Sequence, residues 1–340
     1  MRKTILLAVI VICSLNILAQ PGGKSTYNFL NVNTSARSAA LGGSSIAVYD
    51  HDLSLVQSNP ALLSSGCNNQ LNLNFINYFA DVNYGYATFA HSFNKYGNYA
   101  LGMQYISYGD FDRTNERGEQ EGTFTASEYA MNLLWSKMLD SSFYLGASLK
   151  PIWSHLEQYT SFGVAMDAGL IYNNSKQLLT GAVLIRNAGS QIKPYTEGNF
   201  EKLPFDIQVG VTKRLKHAPF RFSVLAHHLH TWDMTYNETN TSSVLALETS
   251  SKGNFKKTAD KLGRHFAFGV EILLGKNLHL ELGYNHQRRK ELVVSSKTGS
   301  AGFSWGFGLK IKKINVSIGR AVYHLAGAST VFSMGVNFNK

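Results

Sequence analysis

The chain has 340 residues, with 32 Lys+Arg against 22 Asp+Glu for a formal net charge of +10, and it is 44% hydrophobic and 12% aromatic. Only 16% of it is charged, low against the usual quarter or so, and two cysteines are too few for a disulfide-stapled fold. No stretch reaches the roughly 18 consecutive apolar residues of a membrane-crossing helix, and mean hydropathy is −0.12. The basic balance is compatible with an anionic neighbour or with plain solubility.

Arg2 and Lys3 precede an apolar run from Ile5 to Leu18, and Ala19 offers a small residue for cleavage before Gln20. The pattern predicts a secretory signal peptide over 1–19, since about 14 apolar residues do not span a bilayer of roughly 30 Å. Ile12 stands where a lipoprotein cut before Cys13 would need a small residue. Cleavage leaves Cys67 as the one thiol, so an exported chain without an intramolecular disulfide is expected.

Residues 20–68 form a separate segment, centred on "ARSAALGGSSIAVYDHDLSLVQSNPALLSSG". Leu41-Gly42-Gly43 has neither G-x-G-x-x-G nor Gly-Lys-Ser/Thr spacing. It reads as packing where only glycine lets backbones approach. Asp50 and Asp52 flank His51; in an extended segment neighbours point opposite ways, so capping or internal hydrogen bonds are expected rather than a metal site. Asn59-Pro60-Ala61 reads as a turn or helix start.

From Leu71 onward the period is two. Tyr129, Met131, Leu133 and Trp135 alternate with Glu128, Ala130 and Asn132; Phe303, Trp305, Phe307, Leu309 and Ile311 alternate with Gly302, Ser304, Gly306, Gly308 and Lys310. These segments run about ten residues or more, where soluble strands average 5–6, and their apolar faces carry aromatics at the ends. That is the pattern of a transmembrane β-barrel. The expected strands are 70–78, 82–93, 97–108, 123–137, 142–153, 160–172, 178–188, 204–216, 219–230, 264–275, 277–287, 300–312, 314–324 and 329–338. Fourteen is an even number, with twelve or sixteen left open. Short turns alternate with mostly longer connections at 109–122, 189–203, 231–263 and 288–299, as external loops should; the first (79–81) and the last (325–328) are short exceptions. The fold expected for 69–340 is therefore an all-β, antiparallel transmembrane barrel. Phe338 supplies a terminal aromatic of the kind read by barrel assembly machinery.

His227, His228 and His230 look metal-like. On a continuing strand, however, His227 faces away from the other two, and zinc wants three or four converging ligands; a belt or lumenal role is expected. Lys252, Lys256, Lys257, Lys261 and Arg264, then Arg288, Arg289 and Lys290, cluster in the long connections. They are candidate contacts to lipopolysaccharide phosphates or a partner, with a generic solvated loop as the alternative. No nucleophile–base set and no Gly-x-Ser-x-Gly are present, so neither an enzyme nor a cofactor is expected, and nucleic acid is not an expected partner.

The segment "SARSAALGGSSIAVYDHDLSLVQSNPALLS", followed by "AMDAGLIY", "LIRNAGSQIKPY" and "LPFDIQVGVTKRL", resembles the FadL-like outer-membrane proteins, and within them the PorV/PorQ group of the type IX secretion system. The resemblance implies that 20–68 is a hatch folded into the lumen, with Leu41, Gly42, Gly43, Asp50, Asp52, Asn59, Pro60 and Ala61 as its motif. It also implies a non-enzymatic anchor for a surface attachment complex with PorZ, PorU and PorV, which joins cargo to lipopolysaccharide. A FadL-like channel for hydrophobic solutes and a PorV-like cargo shuttle are the alternatives; inward faces of Gly, Ser, Ala and Asn argue mildly against the channel.

Overall fold

Strict alternation over fourteen segments closes into one wall. The computed structural model describes residues 25–78, 82–93, 95–234, 252–275, 277–292, 299–324 and 327–339; the expected signal peptide lies outside them. The strands are β1 (Gln70–Asn77), β2 (Asn83–Phe93), β3 (Gly97–Thr114), β4 (Gln120–Met138), β5 (Phe143–Leu156), β6 (Tyr159–Asn174) and β7 (Leu179–Lys193). There follow β8 (Asp206–Arg214), β9 (Phe220–Ala226), β10 (Phe266–Leu274), β11 (Leu278–Asn285), β12 (Phe303–Ile311), β13 (Ile314–His324) and β14 (Gly327–Asn337). Each pairs antiparallel with its sequence neighbours, and β1 closes on β14 with Gln70 opposite Asn337. A closed barrel has no unpaired edge, so every strand can satisfy its backbone in hydrocarbon.

The alternation sorts the two faces. On β12, Phe303, Trp305, Phe307 and Leu309 are exposed on the outside, while Ser304 is buried inside. On β4, Tyr129, Met131 and Leu133 point out; Ala130, Asn132 and Leu134 are buried. This apolar exterior is a hydrocarbon-facing surface.

Strand ends differ from the sequence expectation. β3 runs on to Thr114 and β4 starts at Gln120, so most of the expected loop 109–122 is a hairpin standing beyond the wall. Both its faces meet solvent, which removes the alternation that marks a strand. β7 likewise continues to Lys193. β9 stops at Ala226, not 230, and β11 at Asn285, where Asn285 accepts from Arg288 N–H to cap a helix, His286–Glu291. A second helix, Lys252–Arg264, precedes β10.

Residues 25–68 fill the lumen. Ser35 caps the short helix Ala36–Ala40 by accepting from Ser38 N–H, Asp52 caps a 3₁₀ turn at Leu53–Leu55, and Asn59 caps another at Pro60–Leu62. The helix packs on β11–β14, and the Pro60 turn on β4–β6. Leu41, Ile46, Val48, Leu55, Val56 and Leu63 share a core with inward residues of the wall such as Leu134, Ile171 and Leu184. Wall glycines admit this backbone: a β-carbon on Gly146 would land on Ala61, one on Gly283 on the Leu41–Gly42 peptide, and one on Gly319 on the Ala36 carbonyl.

Candidate functional site in the barrel lumen

Arg37 stands on the helix Ala36–Ala40 and is 4% exposed. Its Nη2 donates to Asp50 Oδ2 at 2.6 Å and to Glu271 Oε1 at 2.7 Å, its Nη1 to Asp52 Oδ2 at 2.9 Å, and its Nε to Glu271 Oε1 at 2.9 Å. Arg221 on β9 reaches Asp50 Oδ2 at 2.7 Å and Glu271 Oε2 at 3.1 Å. Two guanidiniums thus hold three carboxylates, linking the plug to β9 and β10. Burial opposes ionisation of Asp50, but Arg37 and Arg221 override it and hold its carboxyl below the ordinary range. His51 takes no part: its φ is 64° and Nδ1 pairs with Ser64 Oγ at 2.6 Å.

A second set of polar groups grips residues 28–31. Lys150 on β5 lies 2.5 Å from Asp167 on β6, both buried, and donates to Asn187 Oδ1 at 3.0 Å. Asn187 Nδ2 reaches Asn31 Oδ1 at 3.2 Å, and Arg186 Nη2 donates to the Leu30 carbonyl at 2.6 Å. Between these clamps the wall is polar: Tyr84, Gln104 and Ser148 bury polar atoms with no protein partner. Pro151, which has no N–H to give, sits in β5 where the β4 ladder skips from Ala130↔Ile152 to Leu133↔Leu149. At the short-turn end, a cavity of about 660 Å³ lies beneath the plug, lined by Tyr49, His51, Asn98, Lys137, Arg214 and Arg221 among others.

Of the motif residues expected from sequence, Asp50 and Asp52 converge on Arg37, Asn59 caps its turn and hydrogen-bonds the Ile46 carbonyl at 2.9 Å, and Gly42 (φ 70°) and Gly43 (φ 93°) turn the chain after the helix. Phe338 is exposed at the end of the chain, its N–H bonded to the Asn69 carbonyl. The basic residues of the loops divide. Lys261 pairs with Asp233 at 2.5 Å. Asp260 gathers Lys290 at 2.7 Å, Arg264 at 3.1 Å and His286 at 3.3 Å. Burial opposes ionisation of Asp260, and the hydrogen bonds from Lys290, Arg264 and His286 outweigh it, bringing its pKa down to about 2. Arg288 stacks over Tyr323 at 4.5 Å, and Arg289 holds the Gly299 and Ala301 carbonyls. Lys252, Lys256 and Lys257 stand on the helix Lys252–Arg264, with their side chains outside the described set.

Sequence reasoning passed over Arg37, Arg221, Glu271, Lys150, Asp167 and Asn187. For Arg221, Glu271, Lys150 and Asp167 the available signal was a charge on the small-residue face of a strand, which is costly inside a barrel unless paired; Arg37, on the plug helix, and uncharged Asn187 gave no such signal.

A closed fourteen-strand wall, apolar outside and clamped to a buried chain segment inside, defines a plugged membrane barrel. The fold is that of known FadL-like barrels. It is similar to the toluene transporter TodX of Pseudomonas putida, at TM-score 0.54 and 14% identity over 90% of this chain and 99% of that one. A TodX deltaS2S3 mutant, titled a monoaromatic hydrocarbon channel, gives TM-score 0.56 at 14% identity over 89% and 99%. A Pseudomonas aeruginosa FadL homologue gives 0.48 at 10% identity over 90% and 98%. No protein-family model matches the chain, and no curated protein matches it.

Proposed function

We propose that the protein is a non-enzymatic outer-membrane barrel, exported by the 1–19 signal peptide, that passes small apolar solutes through its wall while its plug closes the lumen. The observation that supports this most is the likeness of nearly the whole chain to TodX barrels, which carry toluene or other monoaromatic hydrocarbons. The plug fills the lumen and leaves no straight path through it, so a solute would leave sideways. The unpaired stretch of the β4–β5 ladder at Pro151 is the exit this reading assigns. Vesicles carrying the protein should take up radiolabelled toluene faster than empty ones, and Pro151→Thr, which restores the missing donor, should slow them. Uptake equal to that of empty vesicles would remove this reading.

A second reading rests on the resemblance to the PorV/PorQ group and on the loops. A PorQ-type anchor would hold PorZ on its external face, with PorU and PorV, beside lipopolysaccharide. The folded external elements favour it: the β3–β4 hairpin and the helix Lys252–Arg264 present shaped surfaces beyond the wall. Gentle purification from native envelope with mass spectrometry separates the two; recovery without any type IX component would count against the anchor.

A further inference from the structure

The external mouth carries a cluster that neither clamp uses. Asp206 opens β8, and His227 is the first residue past β9. His227 N–H still donates to the His265 carbonyl at 2.9 Å, so its backbone extends the ladder by one step. A regular strand would then send His228 to the opposite side. Instead His228 has φ 54°, the left-handed region that a residue with a β-carbon adopts at a cost. The consequence is convergence: Nδ1 of His227 and Nδ1 of His228 lie 2.5 Å apart.

Asp206 faces this pair. Its Oδ1 accepts from His228 N–H at 2.6 Å and its Oδ2 from Gln208 Nε2 at 2.7 Å, so the carboxylate is oriented at both oxygens. One ligand atom from each of Asp206, His227 and His228 lies within 4.8 Å of the others. His230 Nδ1 stands 3.9 Å from Asp206 Oδ1, beside this trio. Asp206 is 4% exposed and His227 5%, and His227 Nε2 has no protein partner. A hydrogen bond between two imidazoles would account for one contact. It does not account for a strained backbone and an oriented carboxylate facing the same pair.

We propose that Asp206, His227 and His228, with His230 completing the set, bind a late first-row divalent cation of the zinc class at the external mouth. Two or three imidazoles and one carboxylate suit zinc, with copper and nickel as tighter or comparable competitors; magnesium and calcium want more oxygens. Ligand atoms bonded to zinc at about 2.0–2.2 Å surround it tetrahedrally, so on binding the two Nδ1 atoms, 2.5 Å apart, open and the carboxylate, 4.0 Å from His228 Nδ1, closes. The ion would pin β8 to the segment after β9. That segment is also held at His265, whose Nε2 lies 3.2 Å from the Trp232 carbonyl, and at the Lys261–Asp233 pair.

The test uses tag-free, full-length protein in detergent, stripped with a chelator and checked for its folded, heat-modifiable band. Calorimetric titration with zinc chloride should give one equivalent, and magnesium chloride no heat of binding. His228→Ala and Asp206→Asn should each weaken zinc by on the order of 10- to 100-fold or more; His230→Gln, outside every strand, should weaken it less, and His217→Ala not at all. Zinc should also raise the thermal midpoint of wild type but not of His228→Ala. Failure of the folded wild type to bind zinc overturns the proposal, as does binding that both His228→Ala and Asp206→Asn leave unchanged.

Discussion

Replacing Arg37 by Ala removes one of the two guanidiniums that join Asp50, Asp52 and Glu271 into the plug–wall clamp. Three carboxylates lose a guanidinium: Asp52 keeps only its cap on Ser54 N–H, while Asp50 and Glu271 retain Arg221 at 2.7 and 3.1 Å. Breaking a buried ion pair by deleting one partner costs about 3–5 kcal/mol, and the surviving Arg221 contacts argue for the lower end. At 1.4 kcal/mol per tenfold, about 3 kcal/mol raises the undocked plug population by roughly two powers of ten. Amide exchange of peptides covering 36–63 should accelerate by that order, while peptides from β3–β6 exchange as in wild type. Arg37→Lys, which keeps the charge but cannot fork to three carboxylates, should fall between. Unchanged exchange over 36–63 in a folded Arg37→Ala barrel would refute the clamp.

Gly283→Val should overpack the Leu41–Gly42 backbone and loosen the plug by about 1–3 kcal/mol or more. Planar-bilayer conductance should then rise, while Gly181→Ala, where nothing lies within 4 Å, stays silent. Lys150→Met leaves Asp167 buried and unpaired, costing about 3–5 kcal/mol in urea unfolding; adding Asp167→Asn should recover most of it, a coupling read by a double-mutant cycle. Asp260 has a folded pKa of about 2, below that of an ordinary aspartate, so its contribution is complete above the unfolded value and is lost as pH falls towards 2. Asp260→Asn should free the helix Lys252–Arg264 at neutral pH, seen as faster tryptic cleavage there, and should abolish the acid-dependent part of that loosening.

The wall was readable because lipid imposes a period of two that nothing else in the chain competes with. Legibility failed where lipid stops. The β3–β4 hairpin beyond the wall has solvent on both faces, so Asp110, Asp112 and Thr123 carry no alternation to read. The helix His286–Glu291 did leave a signal, Asn285 as N-cap, but it was hidden by the strand pattern that ends there. In the plug, local caps at Asp52 and Asn59 follow from residue type and spacing. The clamp does not: Arg37 and Glu271 are 234 positions apart, and no local pattern couples them. The His227–His228 convergence failed differently, since one left-handed φ at His228 undoes an argument built on strand geometry.

The clamp also orders events in time. Arg37 and Asp50 find their wall partners only on β10 and β9, which follow eight other strands in the chain. Until then the early segment carries mismatched charge in search of a home. Its docking is therefore a late, long-range step that ties closure of the sheet to arrival of the plug. A wall assembled around the wrong contents would hold Glu271 and Arg221 unanswered by Arg37 and Asp50, which makes the buried charges an inspection point for a correctly finished barrel.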